Sequence, residues 1–278
     1  MTYRDVLSDV ENQLKEAGVP EPKVDAWELV SFAFSLSKKE YLMRMTSEVD
    51  AVQMNSLWVL VERRASRVPL QQILGTVGFW GLSFSVNEHV LCPRQDTELL
   101  VEKALTHLKS GDAILDLCTG SGCVLISLAY SKKGTMGVGV DISPEAITVA
   151  KENAKKNFVH VDWKQGDLFE PVSGRRFDVI VSNPPYIPSS VIEGLMPEVR
   201  DHEPRRALDG GEDGLVFYRR IVADAPDYIC HEGWLLFEVG VGEAAAVEEL
   251  LFNRGFSDIK CFKDYAGNER VVCGQWIE

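Results

Sequence analysis

From the start of the chain to Leu70, apolar side chains fall at helical spacing. Tyr3, Leu7, Val10 and Leu14 share one face of a helix that Gly18 and Pro20 end. Trp27, Val30 and Phe34 mark a second helix, and Met54, Trp58, Val61 and Ala65 a third that stops before Pro69. Aromatic side chains at these spacings pack helix against helix rather than surround a cofactor, so a small bundle is expected. The pattern then changes. In TVGFWGLSFSV, Val77 and Phe79 alternate before Trp80-Gly81, and Leu82, Phe84 and Val86 alternate after it, which predicts a β-hairpin. From Asp96 onward, short apolar runs alternate with helical segments, the signature of a parallel sheet covered by helices. The strands expected are AILDL, MGVGV, FDVIVS and GWLLFEVG, with a helix beginning near Val124. Ser143, Pro144 and Glu145 read as an N-cap, a proline at the first helical position and an acidic first turn. IKCF and RVVCGQWI predict a closing edge hairpin. The division expected is a helical domain over 1–73, a hairpin linker over 74–94 and an α/β domain over 95–278.

Composition changes this picture in two ways. The formal net charge is −13 with no Lys/Arg-rich block, which disfavours stable nucleic-acid binding. Six cysteines and five histidines are scattered without Cys-x-x-Cys or His-x-x-x-His pairs, so neither a metal site nor a disulfide framework is expected. The start lacks the basic and apolar regions of a signal peptide, and no apolar run is long enough to span a bilayer. A reduced, cytoplasmic setting without membrane contact is expected.

The segment DLCTGSG, Asp116 to Gly122, reads as a strand, a glycine turn and a helix start. Glycines there let backbone approach a ligand, and the free N–H groups of the next helix attract negative charge. Two features narrow the ligand. Leu125 replaces the third glycine of the dinucleotide fingerprint, which counts against NAD. Asp141 ends the next strand, where it can accept from both hydroxyls of a ribose. Asp167, in GDLF, follows a third strand-like segment and can receive an adenine amino group while Leu168 covers the ring. Glycine loop, ribose acid and adenine acid in that order fit S-adenosylmethionine better than a dinucleotide.

FDVIVS runs into Asn183-Pro184-Pro185-Tyr186. Two prolines cannot continue a central strand, so the chain turns there. A carboxamide or adenine amino nitrogen is a poor nucleophile, and its N–H is too weakly acidic for a general base to help. Two acceptors placed along its N–H bonds stabilise the charge that develops as a methyl group arrives. Asn183 offers its side-chain carbonyl and Pro184 its backbone carbonyl. Pro185 stiffens the turn, and Tyr186 gives a flat face to a planar group. The motif serves glutamine and N6-adenine acceptors alike.

Taken together, GFWGLSFSVNEHVLCPRQDTELLVE, ILDLCTGSG, VDIS, DLF, IVSNPPYI, EVRDHEPRRALDGGEDGLVFYRRI and KDYAGNERVV give the chain a resemblance to the HemK-type N5-glutamine methyltransferases of class 1 peptide chain release factors. The resemblance covers nearly the whole chain. It implies a Rossmann-like class I SAM-dependent methyltransferase domain preceded by a helical substrate-recognition domain. The cofactor residues it implies are Cys118, Thr119, Gly120, Ser121, Gly122, Asp141, Asp167, Leu168 and Asn183. Those for the glutamine are Asn183, Pro184, Pro185 and Tyr186. The product would be S-adenosylhomocysteine, the partner a class 1 release factor, the enzyme a monomer and no metal involved. Cys118 stands where the family has glycine, and Gln95 where it has proline. Arg94 and Glu98 suit either bracing of the rim or a plain helix start. A ribosomal-protein glutamine, nucleic-acid adenine, NAD chemistry and a non-catalytic SAM-binding role are the competing readings; the acidic balance disfavours the second and Leu125 the third.

Overall fold

A computed structural model describes residues 1–277. The chain divides into two compact units, Met1–Gly75 with Met196–His202, and Thr76–Leu195 with the chain from Glu203 onward.

The first unit is helical: α1 (Tyr3–Glu16), α2 (Pro22–Phe34), α3 (Lys38–Arg44), α4 (Ala51–Ala65) and α5 (Leu70–Leu74). The helix starts are made locally. Thr2 and Asp5 form a capping box on α1, Ser37 and Glu40 another on α3, and Asp50 accepts from the first turn of α4. Val6, Val10, Leu14, Leu29, Val30, Leu57 and Val61 are wholly buried between α1, α2 and α4, each contributing about 1.5–3 kcal/mol. Into this unit the later chain inserts α9 (Pro197–Arg200). Arg64, buried on α4, donates from Nε to Asp25 at 2.6 Å and from Nη2 to Glu198 on α9 at 2.9 Å. Arg67 completes the cluster with two bonds to the same Glu198 carboxylate, at 2.7 and 2.6 Å.

The second unit opens with the hairpin β1 (Thr76–Phe79) and β2 (Leu82–Ser85), paired antiparallel with Phe79 opposite Leu82. Trp80 and Gly81 turn between them with φ of 52° and 70°, the left-handed pair that a two-residue hairpin loop requires. The main sheet has seven strands: β3 (Ala113–Leu117), β4 (Met136–Asp141), β5 (Asp162–Gln165), β6 (Phe177–Ser182), β7 (Ile229–Glu238), β8 (Ser257–Lys263) and β9 (Glu269–Gln275). Their order is β5-β4-β3-β6-β7-β9-β8, parallel from β5 to β7, with the closing hairpin antiparallel at the edge. Helices α6 (Glu98–His107), α7 (Cys123–Ser131), α8 (Pro144–Lys156), α10 (Val216–Asp224) and α11 (Ala244–Arg254) complete the unit. The parallel strands are continuous apolar runs because both faces are covered. One core gathers Leu115, Ile180, Leu235 and Tyr218; the other gathers Ile114, Val179, Leu236 and Leu100. Between β3 and β6 the strand order reverses, and a crevice opens beyond the strand ends, the usual ligand position in such sheets. Among the described residues no helix is long and apolar enough to cross a membrane.

Candidate active site

A cleft of about 310 Å³ lies at that reversal, lined by Cys118–Ser121, Asp141, Asp167, Leu168, Asn183 and Pro185 among others. The loop after β3 is held from below. Thr119 hydrogen-bonds through its hydroxyl to buried Asp116, and Thr119 N donates to Val140 O at 3.0 Å. Burial pushes the Asp116 carboxyl up to about 7, against the hydrogen bonds from Thr119 and Leu125. The two glycines differ in what they permit. At Gly120, φ is 53° and a Cβ would meet nothing within 4 Å, so this backbone faces open space. At Gly122, φ is 78° and a Cβ would come to 2.7 Å from Trp163 and 3.2 Å from Ala150, so the turn can pack only without one. Cys118 also has a positive φ, 58°, a conformation that a residue with a Cβ adopts at a cost. Burial pushes its thiol well above the ordinary range, so it is neutral.

Asp141 is aimed by backbone. Its Oδ2 accepts from Gly120 N at 2.8 Å and its Oδ1 from Ser143 N at 2.9 Å, leaving the remaining lone pairs free. Burial raises its carboxyl pKa against these bonds. Ser143 also caps α8, accepting from Ala146 N at 3.2 Å. Asp167 pairs with Arg220 at 2.7 Å, so its carboxylate reaches the cleft wall already partnered by a cation. Leu168, 5% exposed, lies beside it with φ of 48°.

Asn183 follows the end of β6, where Ser182 Oγ donates to Leu117 O at 2.8 Å. The Asn183 amide donates from Nδ2 to Thr97 Oγ1 at 3.4 Å. Asn183 and Pro185 line the cleft; Pro184 is buried, and Tyr186 packs partly buried against the core. Burial raises the Tyr186 phenol, which is neutral. The turn is clamped by the segment after it. Ile187 N donates to Leu208 O, and Gly210 N to Ile187 O, both at 2.9 Å. A Cβ on Gly210 would come to 2.7 Å from Tyr186 Cα, and one on Gly240 to 3.0 Å from the Tyr186 ring.

Several contributors escaped the sequence reading. Thr97 and Glu238 are each 2% exposed behind Asn183. Arg206, Phe217 and Arg220 line the cleft. Asn153, wholly buried on α8, donates to Ser121 O and Ser85 O at 3.0 Å each, pinning the glycine loop to the hairpin. Glu203 has a buried side chain paired with Arg94 at 2.7 Å. A polar residue inside an otherwise apolar stretch, as Glu238 in LLFEVG, is the one signal that marked any of them. Of the two residues with open roles, Arg94 makes that rim pair, while Glu98 accepts from Trp80 N at 2.7 Å and so fastens the hairpin turn.

Residues 5–75 match the family described as PrmC N-terminal domain, and residues 94–220 the methyltransferase small domain. A protein of Geobacter sulfurreducens named release factor glutamine methyltransferase is 44% identical over 274 residues, covering 99% of this chain and 96% of its own. One of the same name from Caulobacter vibrioides is 38% identical over 272 residues, covering 95% and 92%. The crystal structure of a methyltransferase from Pyrococcus furiosus superposes with a TM-score of 0.56 at 20% identity, covering 71% of this chain and 90% of that one, a likeness of fold.

Proposed function

Since the chain belongs to the family of release factor glutamine methyltransferases, we propose that it methylates the N5 side-chain amide of the glutamine in the Gly-Gly-Gln loop of class 1 peptide chain release factors. The observation that carries this reading is the Asn183 turn at the wall of a cleft whose opposite wall suits an adenosyl cofactor. Gly120 leaves room for a ligand against its backbone. Asp141 is braced to accept from two ribose hydroxyls. Asp167 and Leu168 supply an acceptor and an apolar face for an adenine ring. When bound there, S-adenosylmethionine supplies an electrophilic methyl on a sulfonium and leaves as S-adenosylhomocysteine.

The chain's own task is placement and charge stabilisation. Asn183 Oδ1 and the Pro184 carbonyl accept the two N–H bonds of the glutamine amide and orient its nitrogen. As that nitrogen gains a bond and positive charge, both fixed dipoles stabilise it more than they did the planar amide. Tyr186, held neutral, offers its ring to the amide plane. Pro185 limits the motion of all three. The methylated nitrogen then sheds one proton to solvent. In-line placement supplies much of the remaining acceleration.

We assign the recognition of the protein substrate to the first unit, corresponding to the helical domain expected over 1–73, with the hairpin of 74–94 and the α/β part carrying the chemistry. The enzyme is taken to act as a monomer in the cytoplasm, a compartment that suits its free cysteines. The test is methyl transfer from labelled S-adenosylmethionine to a purified class 1 release factor, with the Gly-Gly-Gln glutamine changed to alanine as control. Label on the native factor alone is expected; label on both, or on neither while the cofactor still binds, overturns the acceptor.

A further inference from the structure

A carboxamide is nearly symmetrical in shape, so packing does not decide which of its ends faces a cleft; its hydrogen-bond partners do. For Asn183 the choice is decisive. Methyl transfer needs Oδ1 toward the acceptor amide, and the inverted side chain would point N–H at N–H. The partners lie behind it. Thr97 Oγ1 receives Asn183 Nδ2 at 3.4 Å, and the carboxyl of Glu238, at the end of β7, lies close enough for both side chains to lower its pKa. Glu238 is 2% exposed, and its Oε2 is buried without a hydrogen-bond partner.

We propose that Glu238 is a positioning residue for methyl transfer, fixing through itself and Thr97 which end of the Asn183 carboxamide faces the cleft. An ionised carboxylate can only accept. It takes the Thr97 hydroxyl proton, so Thr97 has only lone pairs to offer Asn183. The amide must then turn its N–H side inward to Thr97 and Glu238 and its Oδ1 outward. A protonated Glu238 reverses the sense. It can donate to Thr97, whose hydroxyl can then donate to Asn183 Oδ1, and the amide inverts. The inference rests on the methyltransferase reading of Asn183.

The charged and titratable groups around Glu238 are Arg270 on β9, Asp96 before α6, Tyr186, Tyr218 on α10 and Cys123 on α7. Burial pushes the Glu238 carboxyl up; the Thr97 hydrogen bond, the Arg270 charge and the Asn183 hydrogen bond oppose it, Asp96 adds to it, and it titrates at about 7. The productive ionised form is therefore present above that pH and lost as pH falls through it.

The experiment is the kcat, KM and pH profile of the full-length enzyme on a purified class 1 release factor, with S-adenosylmethionine affinity from calorimetry. Glu238→Gln, which can both donate and accept, is expected to lower kcat on the order of 100-fold, to leave cofactor affinity unmoved, and to abolish the acidic limb of kcat. Thr97→Val should cost as much, and Thr97→Ser, which keeps the hydroxyl, should recover most of it. A Glu238→Gln enzyme with wild-type kcat and an unchanged acidic limb overturns the inference. So does equal loss in Thr97→Val and Thr97→Ser, the comparison that decides if Glu238→Gln does not fold. A wild-type enzyme that binds the cofactor yet methylates no release factor overturns the functional reading, and the inference with it.

Discussion

Asn183 has two jobs that substitution can separate. In the proposed mechanism its Oδ1 stabilises charge at the reacting nitrogen, while its Nδ2 is spent on Thr97. Asn183→Ala should lower kcat by about 100-fold or more, the usual loss on removing one such dipole, with the fold intact by circular dichroism. Asp141 is assigned to binding in the proposed mechanism. Its carboxylate is held by Gly120 N and Ser143 N whether or not a ligand is present, so Asp141→Ala should weaken S-adenosylmethionine affinity by roughly ten- to a hundredfold, the worth of hydrogen bonds to a charged group. Calorimetric titration checks it. At this scale the sequence was readable where a residue type is rare for its place, as with a glycine turn after an apolar run or two prolines ending one. Thr97 and Glu238 were not, because an ordinary threonine and a strand-end glutamate acquire meaning only when β6, β7 and the start of α6 converge. That convergence joins residues 86 positions apart in the case of Thr97 and Asn183.

The elements that matter most for the chemistry are irregular. The turn after β6 has no regular structure of its own and is clamped by the 205–214 segment, whose Gly210 and Gly214 let backbone press on Tyr186. Gly210→Ala should displace the turn and lower kcat by tenfold or more, since a shift of about 1 Å at a reacting group can cost 100-fold. Cofactor affinity should move little, and the ratio of the two effects is the measurement. Regular elements were the legible ones. Of the face predicted for α1, Tyr3, Val10 and Leu14 are buried while Leu7 is only partly so, Val6 being buried in addition, and the hairpin turns at Trp80-Gly81. The short helix α3 was missed for a physical reason: it buries no residue, so it prints no apolar stripe, and its capping box alone defines it.

For the whole molecule, the Arg64–Glu198–Arg67 cluster governs the first unit. Glu198→Gln would leave two guanidinium groups against a neutral amide, and removing one partner of a buried pair costs about 3–5 kcal/mol; thermal denaturation should show it. The pH dependence has a definite sign. Burial pushes the Glu198 carboxyl up, but hydrogen bonds from Arg67, its own backbone and Arg64 outweigh it and hold the group at about 2, against an ordinary 4.5. Its contribution is fully present above pH 4.5 and drains away as pH falls toward 2. The same unit exposes Phe32 (52%), Leu42 (65%) and Met43 (75%). Exchanging all three for serine should lower kcat/KM on the intact release factor by roughly tenfold, the effect of losing apolar anchors. Turnover of a short Gly-Gly-Gln peptide should be untouched.

The placement of α9 also bears on how the protein is made. The helices of the first unit leave the ribosome before the sheet does, yet the carboxylate that Arg64 and Arg67 share lies 134 and 131 residues further along. Until it emerges, the nascent bundle holds two cations with an unfilled place between them. The first unit can therefore gather its apolar core as it emerges, but its ion pairs to Glu198 close only after Glu198 is made. A synthesis arrested before Glu198 would release a first unit lacking the carboxylate that Arg64 and Arg67 share.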